Sequence, residues 1–215
     1  MYLPDHLAEH DPATLHGFIS EHPLGLLVTL DVDGLSANHV PFLLAPDTGA
    51  QGALLTHVAR GNHVGQDFSP DHEALVVFQG PSAYISPNWY PTKADTHRVV
   101  PTYNYAVVHA HGSLVIHDNE KWLRGLLGRL TKRMEEPQAA PWKMRDAPQD
   151  YLRQMLGGIV GIEIPISRLV GKWKVSQNRL PSDRKGAVEG LRSIGGAETD
   201  AMADLITATA ARRGE

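Results

Sequence analysis

Residues 54–63 read LLTHVARGNH, and this stretch decides how the rest of the sequence is interpreted. It begins as an apolar strand and ends in a polar turn, where Arg60 supplies a permanently charged, planar fork suited to phosphate oxygens. Gly61 allows a sharp turn, and if Asn62 opens a short helix, the free amides at its start favour an anion. The stretch therefore predicts an anion site, most naturally for a phosphate. An ordinary polar strand-to-helix connection is the alternative interpretation.

The composition is that of an ordinary globular protein. The chain has 215 residues, of which 42% are hydrophobic and 20% charged, so one large domain or a domain with an appendage is expected. No apolar run approaches the ~20 residues that a membrane span needs, and the first residues lack the pattern of a signal peptide. The absence of cysteine excludes disulfides and thiolate chemistry. These features predict a cytoplasmic protein with no membrane partner.

Charge is distributed unevenly along the sequence. Residues 1–120 contain 3 Lys or Arg against 13 Asp or Glu, whereas residues 121–192 contain 15 against 7. The positive segment is expected to face an acidic surface on the same chain, on a second subunit, or on nucleic acid.

Short strands separated by tight turns dominate the first half of the sequence. Their number and spacing predict a mainly β fold with peripheral helices, built on a six-stranded antiparallel barrel. Strands are predicted over 24–30, 35–44, 53–58, 74–78, 84–86 and 103–116, the last with Gly112 as a bulge, and a further barrel strand over 159–164. Helices are predicted from Asp11 to Pro23, in an insertion at about 119–157, and at about 198–213. The whole chain, 1–215, is predicted to be a single domain.

Other residue patterns leave several chemistries open. His109 and His111 lie on one face of a strand, as a metal pair would require, but no third ligand is apparent and polar strand residues are the favoured interpretation. Lys172, Lys174 and Ser176 project the same way from an alternating segment, which suits an anion or a solvated edge strand. No Gly-x-Ser-x-Gly, Walker or Rossmann pattern occurs, so no catalytic residue and no metal ligand is assigned.

Seven motifs, in order, resemble one known family. They are MYLPDH (1–6), NHVP (38–41), THVARGN (56–62), GP (80–81) with YISP (84–87), VPTYNY (100–105) with His109, KVSQNR (174–179), and DR (183–184) with Gly186. The sequence resembles the PaiB-type FMN-binding proteins, which are described as negative transcriptional regulators and have the FMN-binding split-barrel fold, similar to pyridoxamine 5′-phosphate oxidase.

The resemblance implies a cofactor, a site and an assembly. FMN is the implied cofactor, with its phosphate on Thr56, Arg60 and Asn62. The implied cofactor contacts are Asn38, His39, Val40, Thr56, His57, Val58, Arg60, Asn62, His109, Lys174, Ser176, Gln177 and Asn178. The family is generally dimeric, so a homodimer with the flavin site at the subunit interface is expected.

The function implied by the resemblance has alternatives. A flavin-dependent oxidoreductase is the first, with His39, His57 and His109 as the only reasonable acid–base groups. Direct DNA binding through the basic helix at 121–135 and a haem-binding split barrel are weaker ones. This sequence also departs from the family pattern, because Gly61 and His63 stand where alanine and proline are usual, and Tyr103 stands where tryptophan is commoner. The first departure is expected to loosen the phosphate turn.

Overall fold

The computed structural model describes residues 1–65 and 72–214. In this part of the chain, ten strands form a six-stranded sheet in the order β1-β10-β7-β6-β2-β3 and a four-stranded sheet in the order β4-β5-β9-β8. The strands are β1 (Ala8–Glu9), β2 (Leu24–Asp31), β3 (Gly34–Pro41), β4 (Leu43–Ala45), β5 (Ala53–Ala59), β6 (Ala74–Ile85), β7 (Thr102–Gly112), β8 (Val115–His117), β9 (Ile159–Pro165) and β10 (Arg168–Lys174). The mainly antiparallel β fold expected from the sequence is confirmed, and a second sheet accompanies the six-stranded one.

Six α-helices lie within the described residues. They are α1 (Pro12–Glu21), α2 (Thr92–Thr96), α3 (Glu120–Glu135), α4 (Gln149–Gly157), α5 (Pro181–Ile194) and α6 (Ala197–Arg212). The predictions of α1, α3, α4 and α6 are confirmed, but α2 and α5 were not predicted. None of the described helices is both long enough and apolar enough to cross a bilayer.

Four predicted strands differ from the observed ones. The strand predicted at 35–44 divides into β3 and β4, which belong to different sheets. The strand predicted at 74–78 continues to Ile85 and includes the predicted short strand at 84–86. The predicted 103–116 strand divides into β7 and β8, which belong to different sheets. Gly112 is the last residue of β7, and glycine is required there because a Cβ would lie 2.2 Å from the Pro165 carbonyl oxygen. The Lys172 segment is not an edge strand, because β10 lies between β1 and β7.

The chain divides into two compact units. The first unit comprises Met1–Asp11, Gln79–Val108 and Val170–Glu215, and the second comprises Pro12–Phe78 and His109–Leu169. The single domain expected for residues 1–215 stays a prediction.

The first unit is held together by close packing of α5. A Cβ on Gly186 would lie 2.0 Å from the Trp89 carbonyl oxygen, and a Cβ on Gly190 would lie 2.2 Å from the Trp89 ring. The buried carboxylate of Asp183 accepts hydrogen bonds from the Thr92 amide at 3.2 Å and from the Thr92 hydroxyl at 2.8 and 3.0 Å. Two motif residues of the sequence, Asp183 and Gly186, therefore fix α5 onto the segment that follows β6.

In the second unit, α3 packs on one face of the four-stranded sheet. Leu126 and Leu130 contact Ala53 and Leu55 of β5. Since side chains alternate along a strand, His57 lies on this same helix-covered face.

The first turn of α3 packs on the sheet where a glycine leaves space for a large side chain. Gly161 of β9 lies directly opposite His57 of β5 and His117 of β8. The Trp122 indole occupies the space above Gly161 and stacks on the His117 ring, with centroids 4.1 Å apart and planes 10° apart. His117 Nε2 also lies 2.7 Å from a Glu163 oxygen. These contacts fix the start of α3 on the sheet.

We predict that Gly161→Ala destabilises the protein by about 1–3 kcal/mol, the usual cost of overpacking a well-packed core. An alanine Cβ at this position would lie 2.1 Å from the Trp122 ring, so the helix must shift. Gly125→Ala in the middle of α3 is the matched control, because no atom lies within 4 Å of its Cβ position. The control should gain roughly 0.5–1 kcal/mol from helix propensity. Urea unfolding measures both, and a Gly161→Ala protein as stable as the wild type would contradict the packing.

Burial makes the second unit sensitive to acid through His57. Burial lowers the pKa of His57, and its buried Nδ1 has no hydrogen-bond partner among the described residues. The unfolded chain therefore binds a proton more readily than the folded chain below pH ~6.5.

We therefore predict that the free energy of unfolding falls as the pH is lowered from about 7.5 to 5.5, because the unfolded histidines gain protons first. His57→Gln should reduce this loss without abolishing it, since burial also lowers the pKa values of His109 and His111. Exposed His10 supplies the control, His10→Gln. Urea midpoints at the two pH values measure the effect, and an unchanged pH dependence in His57→Gln would refute the assignment.

Candidate functional site

The stretch at 54–63 folds as the end of β5, a turn, and a short 3₁₀ helix at His63–Gly65. The Asn62 side-chain oxygen accepts a hydrogen bond from the Val64 amide at 2.9 Å, so Asn62 stands at the start of this short helix. Gly61 has no positive φ and open space at its Cβ position. Glycine is therefore not needed for the turn, and alanine would fit there.

Arg60 is the best-connected residue of the turn. Its Nη1 and Nη2 donate to the two carboxylate oxygens of Asp118 at 2.8 and 2.6 Å. Its Nε donates to the Gly157 carbonyl at 2.9 Å, and Nη2 also reaches the Ile159 carbonyl at 3.2 Å. The side chain is nevertheless 43% exposed, and that of Asp118 is 61% exposed.

The Arg60–Asp118 pair has the bidentate geometry that an arginine also forms with a phosphate. Hydrogen bonding to Asp118 raises the pKa of Arg60, and hydrogen bonding to Arg60 lowers the pKa of Asp118. Both groups are therefore charged at neutral pH. A carboxylate of the chain itself thus occupies the face of the guanidinium that suits an anion.

Strand alternation separates Thr56 from His57, which are neighbours in β5 and were both implied as cofactor contacts. Thr56 is fully buried, and its hydroxyl donates to the Pro41 carbonyl at 2.7 Å. His57 points to the opposite face, under α3, while Val58 is buried on the side of Thr56. In this structure the Thr56 hydroxyl thus connects β5 to the end of β3.

A row of polar side chains leads away from the turn along the β2–β3 hairpin. Asn62 Nδ2 donates to Asn38 Oδ1 at 3.0 Å, and Asn38 Nδ2 lies 3.5 Å from Ser36 Oγ. Ser36 is paired with Thr29 of β2, whose buried hydroxyl has no hydrogen-bond partner in the described part of the chain. The row is named here the hairpin row: Asn62, Asn38, Ser36 and Thr29. Val40 lies further along the same side of β3, and exposed His39 points to the other.

The remaining predicted contacts belong to other elements of the fold. His109 is half-buried on β7 in the second unit, and burial is the first cause of its lowered pKa. The other four belong to the first unit, where Lys174 ends β10 and Ser176, Gln177 and Asn178 follow it. Gln177 folds back on its own segment, with Oε1 accepting from the Val175 amide at 2.8 Å.

Several residues around the turn were missed in the sequence. Asp118 was not among the predicted site residues. Asn119 caps α3 by accepting a hydrogen bond from the Trp122 amide at 3.0 Å, and the Asp118 carboxylate is therefore available to Arg60. Ser36 and Thr29 could not be recognised as site residues in the sequence, because hydroxyl side chains are common on strands. Only the register of the β2–β3 hairpin places the two side by side. Among the described residues no group of three or more His, Asp or Glu could hold a metal ion.

Comparisons with known proteins agree with the sequence motifs. A family model described as "Putative FMN-binding domain" matches residues 1–168. An uncharacterized protein of Aspergillus fumigatus is 32% identical over 241 residues, covering 91% of this chain and 92% of its own length. The protease synthase and sporulation protein PAI 2 of Bacillus subtilis is 30% identical over 207 residues, covering 96% of each chain.

A solved structure shows the same fold at low sequence identity. The FAD and haem binding protein of Mycobacterium smegmatis superimposes with a TM-score of 0.57 at 16% identity, covering 89% of this chain and 82% of that one. The split-barrel fold class inferred from the sequence is confirmed. With a family model matching most of its length, the chain belongs to the family described as "Putative FMN-binding domain", and FMN is the cofactor of that family.

Proposed function

We propose that this protein is a PaiB-type regulator that binds FMN in its second unit, with the phosphate on Arg60 and the rest of the cofactor along the hairpin row. Family membership and the B. subtilis relative, whose name refers to protease synthesis and sporulation, support this proposal. The regulatory role that the sequence motifs imply by resemblance is part of the same proposal.

The observation that carries the proposal is the hydrogen bond between Asn62 and Asn38. This bond connects the Arg60 turn to β3, and the hairpin row then ends at Thr29, whose hydroxyl has no hydrogen-bond partner among the described residues. A buried hydroxyl without a partner is costly, and a ligand with hydrogen-bonding groups would relieve that cost. FMN has a phosphate at one end and a polar chain and ring beyond it. The guanidinium of Arg60 would therefore face the phosphate, and the amides and hydroxyls of the hairpin row would face the polar groups beyond it.

Binding of phosphate at Arg60 requires an exchange of partners. The guanidinium must release the Asp118 carboxylate, at least in part, to receive phosphate oxygens. Since an exposed ion pair contributes little to stability, this exchange is feasible. The contacts of Arg60 to the carbonyls of Gly157 and Ile159 would keep the guanidinium in place.

Bound FMN would supply one- and two-electron transfer, which is the chemistry of the cofactor itself. The chain's part would be to bind and orient it, and no side chain is assigned a catalytic role. A homodimer with the flavin at the subunit interface belongs to the same proposal.

We predict that purified wild-type protein binds added FMN and that Arg60→Ala weakens binding roughly ten-fold or more, because a charged hydrogen-bond donor to the phosphate is lost. Arg124→Ala is the matched control, since Arg124 also forms an arginine–carboxylate pair, with Glu120 at 2.8 Å. Quenching of flavin fluorescence during titration gives the dissociation constants. Wild-type protein with no measurable FMN affinity would refute the proposed function.

We predict that Asp118→Asn has the opposite effect on FMN affinity in the same titration. It removes the carboxylate that competes for Arg60, so FMN should bind several-fold more tightly, and Glu120→Gln should have no effect. If both Arg60→Ala and Asp118→Asn weaken FMN binding, the pair orients the turn rather than competing with phosphate, and the exchange is wrong.

Direct DNA contact through α3 stays a prediction. Lys121, Arg129 and Lys132 are exposed on the side of α3 away from the leucines that pack on the sheet. If this face contacts DNA phosphates, affinity in a gel shift should fall steeply between low and physiological salt, and Arg129→Ala with Lys132→Ala should weaken it. Lys185→Ala on α5 is the control, and affinity that ignores salt would contradict a phosphate-driven mode.

A further inference from the structure

A cavity of about 500 Å³ lies beside the C-terminal half of α3, in the second unit. Its lining comes from one stripe of the helix and from the segment that follows the helix, and most of the lining is apolar. No residue of the lining belongs to the turn after β5 or to the hairpin row. Ligand cavities usually have volumes of about 300–1,000 Å³ and mostly apolar walls, so this cavity has the size and character of a small-molecule site.

One wall of the cavity is a stripe of α3 that contains a glycine. Gly128, Thr131 and Glu135 recur at intervals of three and four residues, and they therefore share one face of the helix. A Cβ on Gly128 would lie 3.9 Å from its nearest neighbour, the sulfur of Met144, so a side chain has room there. Glycine is unfavourable in a helix interior, and here no close contact requires it. The fold thus keeps open a volume that a larger side chain at 128 would fill.

The wall that faces α3 is built from residues 141–144. The Trp142 amide donates to a Glu135 carboxylate oxygen at 2.9 Å, and the Lys143 amide donates to an Asp146 oxygen at 2.8 Å. These bonds fix the backbone of the wall, the first of them to α3 itself. The Trp142 side chain nevertheless stays 43% exposed, although tryptophan is highly buried on average. Its indole therefore keeps an apolar surface that the chain does not cover.

Charged side chains line the cavity in equal numbers of each sign. Lys132 and Lys143 are basic, and Glu135 and Glu136 are acidic. The salt bridges between described residues include none of the four. Because the lining has no net charge, a charged ligand would lose hydration there without a matching electrostatic gain. The apolar surface, rather than charge, thus determines which ligand fits.

We infer that this cavity binds a small aromatic compound without net charge, with its rings against Trp142 and over Gly128. Such a ligand gains from the burial of apolar surface and from contact with the indole ring. The inference goes beyond the proposed function and does not depend on it. A second copy of the chain that inserts a side chain into the cavity is the alternative occupant, and the experiment below distinguishes the two.

The probe is N-phenylnaphthylamine, which is uncharged and aromatic and fluoresces more strongly in apolar surroundings. Wild-type protein should bind one equivalent with a dissociation constant of about 100 µM or less, on the usual binding energy per ligand atom. Anilinonaphthalene sulfonate has the same rings with an added sulfonate. It should bind about ten-fold more weakly, because the lining supplies no net positive charge.

Gly128→Leu fills the cavity and should weaken binding of the probe about ten-fold or more. Gly125→Leu is the matched control, because Gly125 lies three residues earlier on α3 and no atom lies within 4 Å of its Cβ position. Trp142→Ala removes the aromatic wall and should weaken binding about ten-fold. Tyr151→Ala, which removes a 52% exposed ring from α4, should leave binding unchanged. Urea midpoints show whether each variant is folded.

Saturating FMN should not displace the probe, because the cavity shares no residue with the Arg60 turn or the hairpin row. Wild-type protein that binds the probe but not FMN would refute the proposed function and leave this inference standing. Displacement of the probe by FMN, wild-type protein that does not bind the probe, tighter binding of the sulfonate, or Gly128→Leu protein that binds like the wild type would each overturn the inference. If Gly128→Leu instead dissociates an oligomer in sedimentation, a second copy occupies the cavity and the inference is wrong.

Discussion

The contact of Trp122 with Gly161 determines much of the second unit. Only glycine leaves room for the indole on the four-stranded sheet, since any Cβ would lie 2.1 Å from the ring. This contact sets where α3 begins and therefore where Asp118 and Asn119 stand. Asn119 caps the helix, and Asp118 is left facing Arg60. The electrostatics of the turn after β5 thus depend on a packing contact on the opposite side of the helix start.

The sequence predicted elements well where one local signal was strong. Helix α3 is marked by its N-terminal cap and its leucine stripe, and strand β5 by its apolar run. Both elements could therefore be predicted close to their observed bounds from local sequence alone. Helix α5 was missed because glycines at 186 and 190 lower its helix propensity. Those glycines are required by the Trp89 ring and carbonyl, a contact between residues about 100 positions apart that no local pattern reveals.

The polar side chains around the turn after β5 were noticed in the sequence, but their hydrogen-bond partners were not. Arg60, Asn62 and Asn38 were singled out, and the last two are hydrogen-bonded. The partner of Arg60 lies 58 residues away, so its bidentate pair could not be anticipated. Thr56 and His57 are neighbours in sequence, yet alternation points them to opposite faces. The expectation that Gly61 loosens the turn stays a prediction, because its backbone is ordinary and an alanine would fit there without strain.

The cationic side chains of the two units differ in their hydrogen-bond partners, and this difference affects how strongly each could bind an anion. Arg60 is already neutralised by Asp118, so an anion that binds it gains only the difference between two partners. Lys172 and Lys174 have only carbonyl and hydroxyl oxygens as hydrogen-bond acceptors in the described part of the chain, so an anion there would provide charge that the fold lacks. A buried ammonium without a counter-ion destabilises the folded state. Lys172, which is only 7% exposed, incurs part of that cost, and its hydrogen bond to the Tyr2 carbonyl offsets some of it.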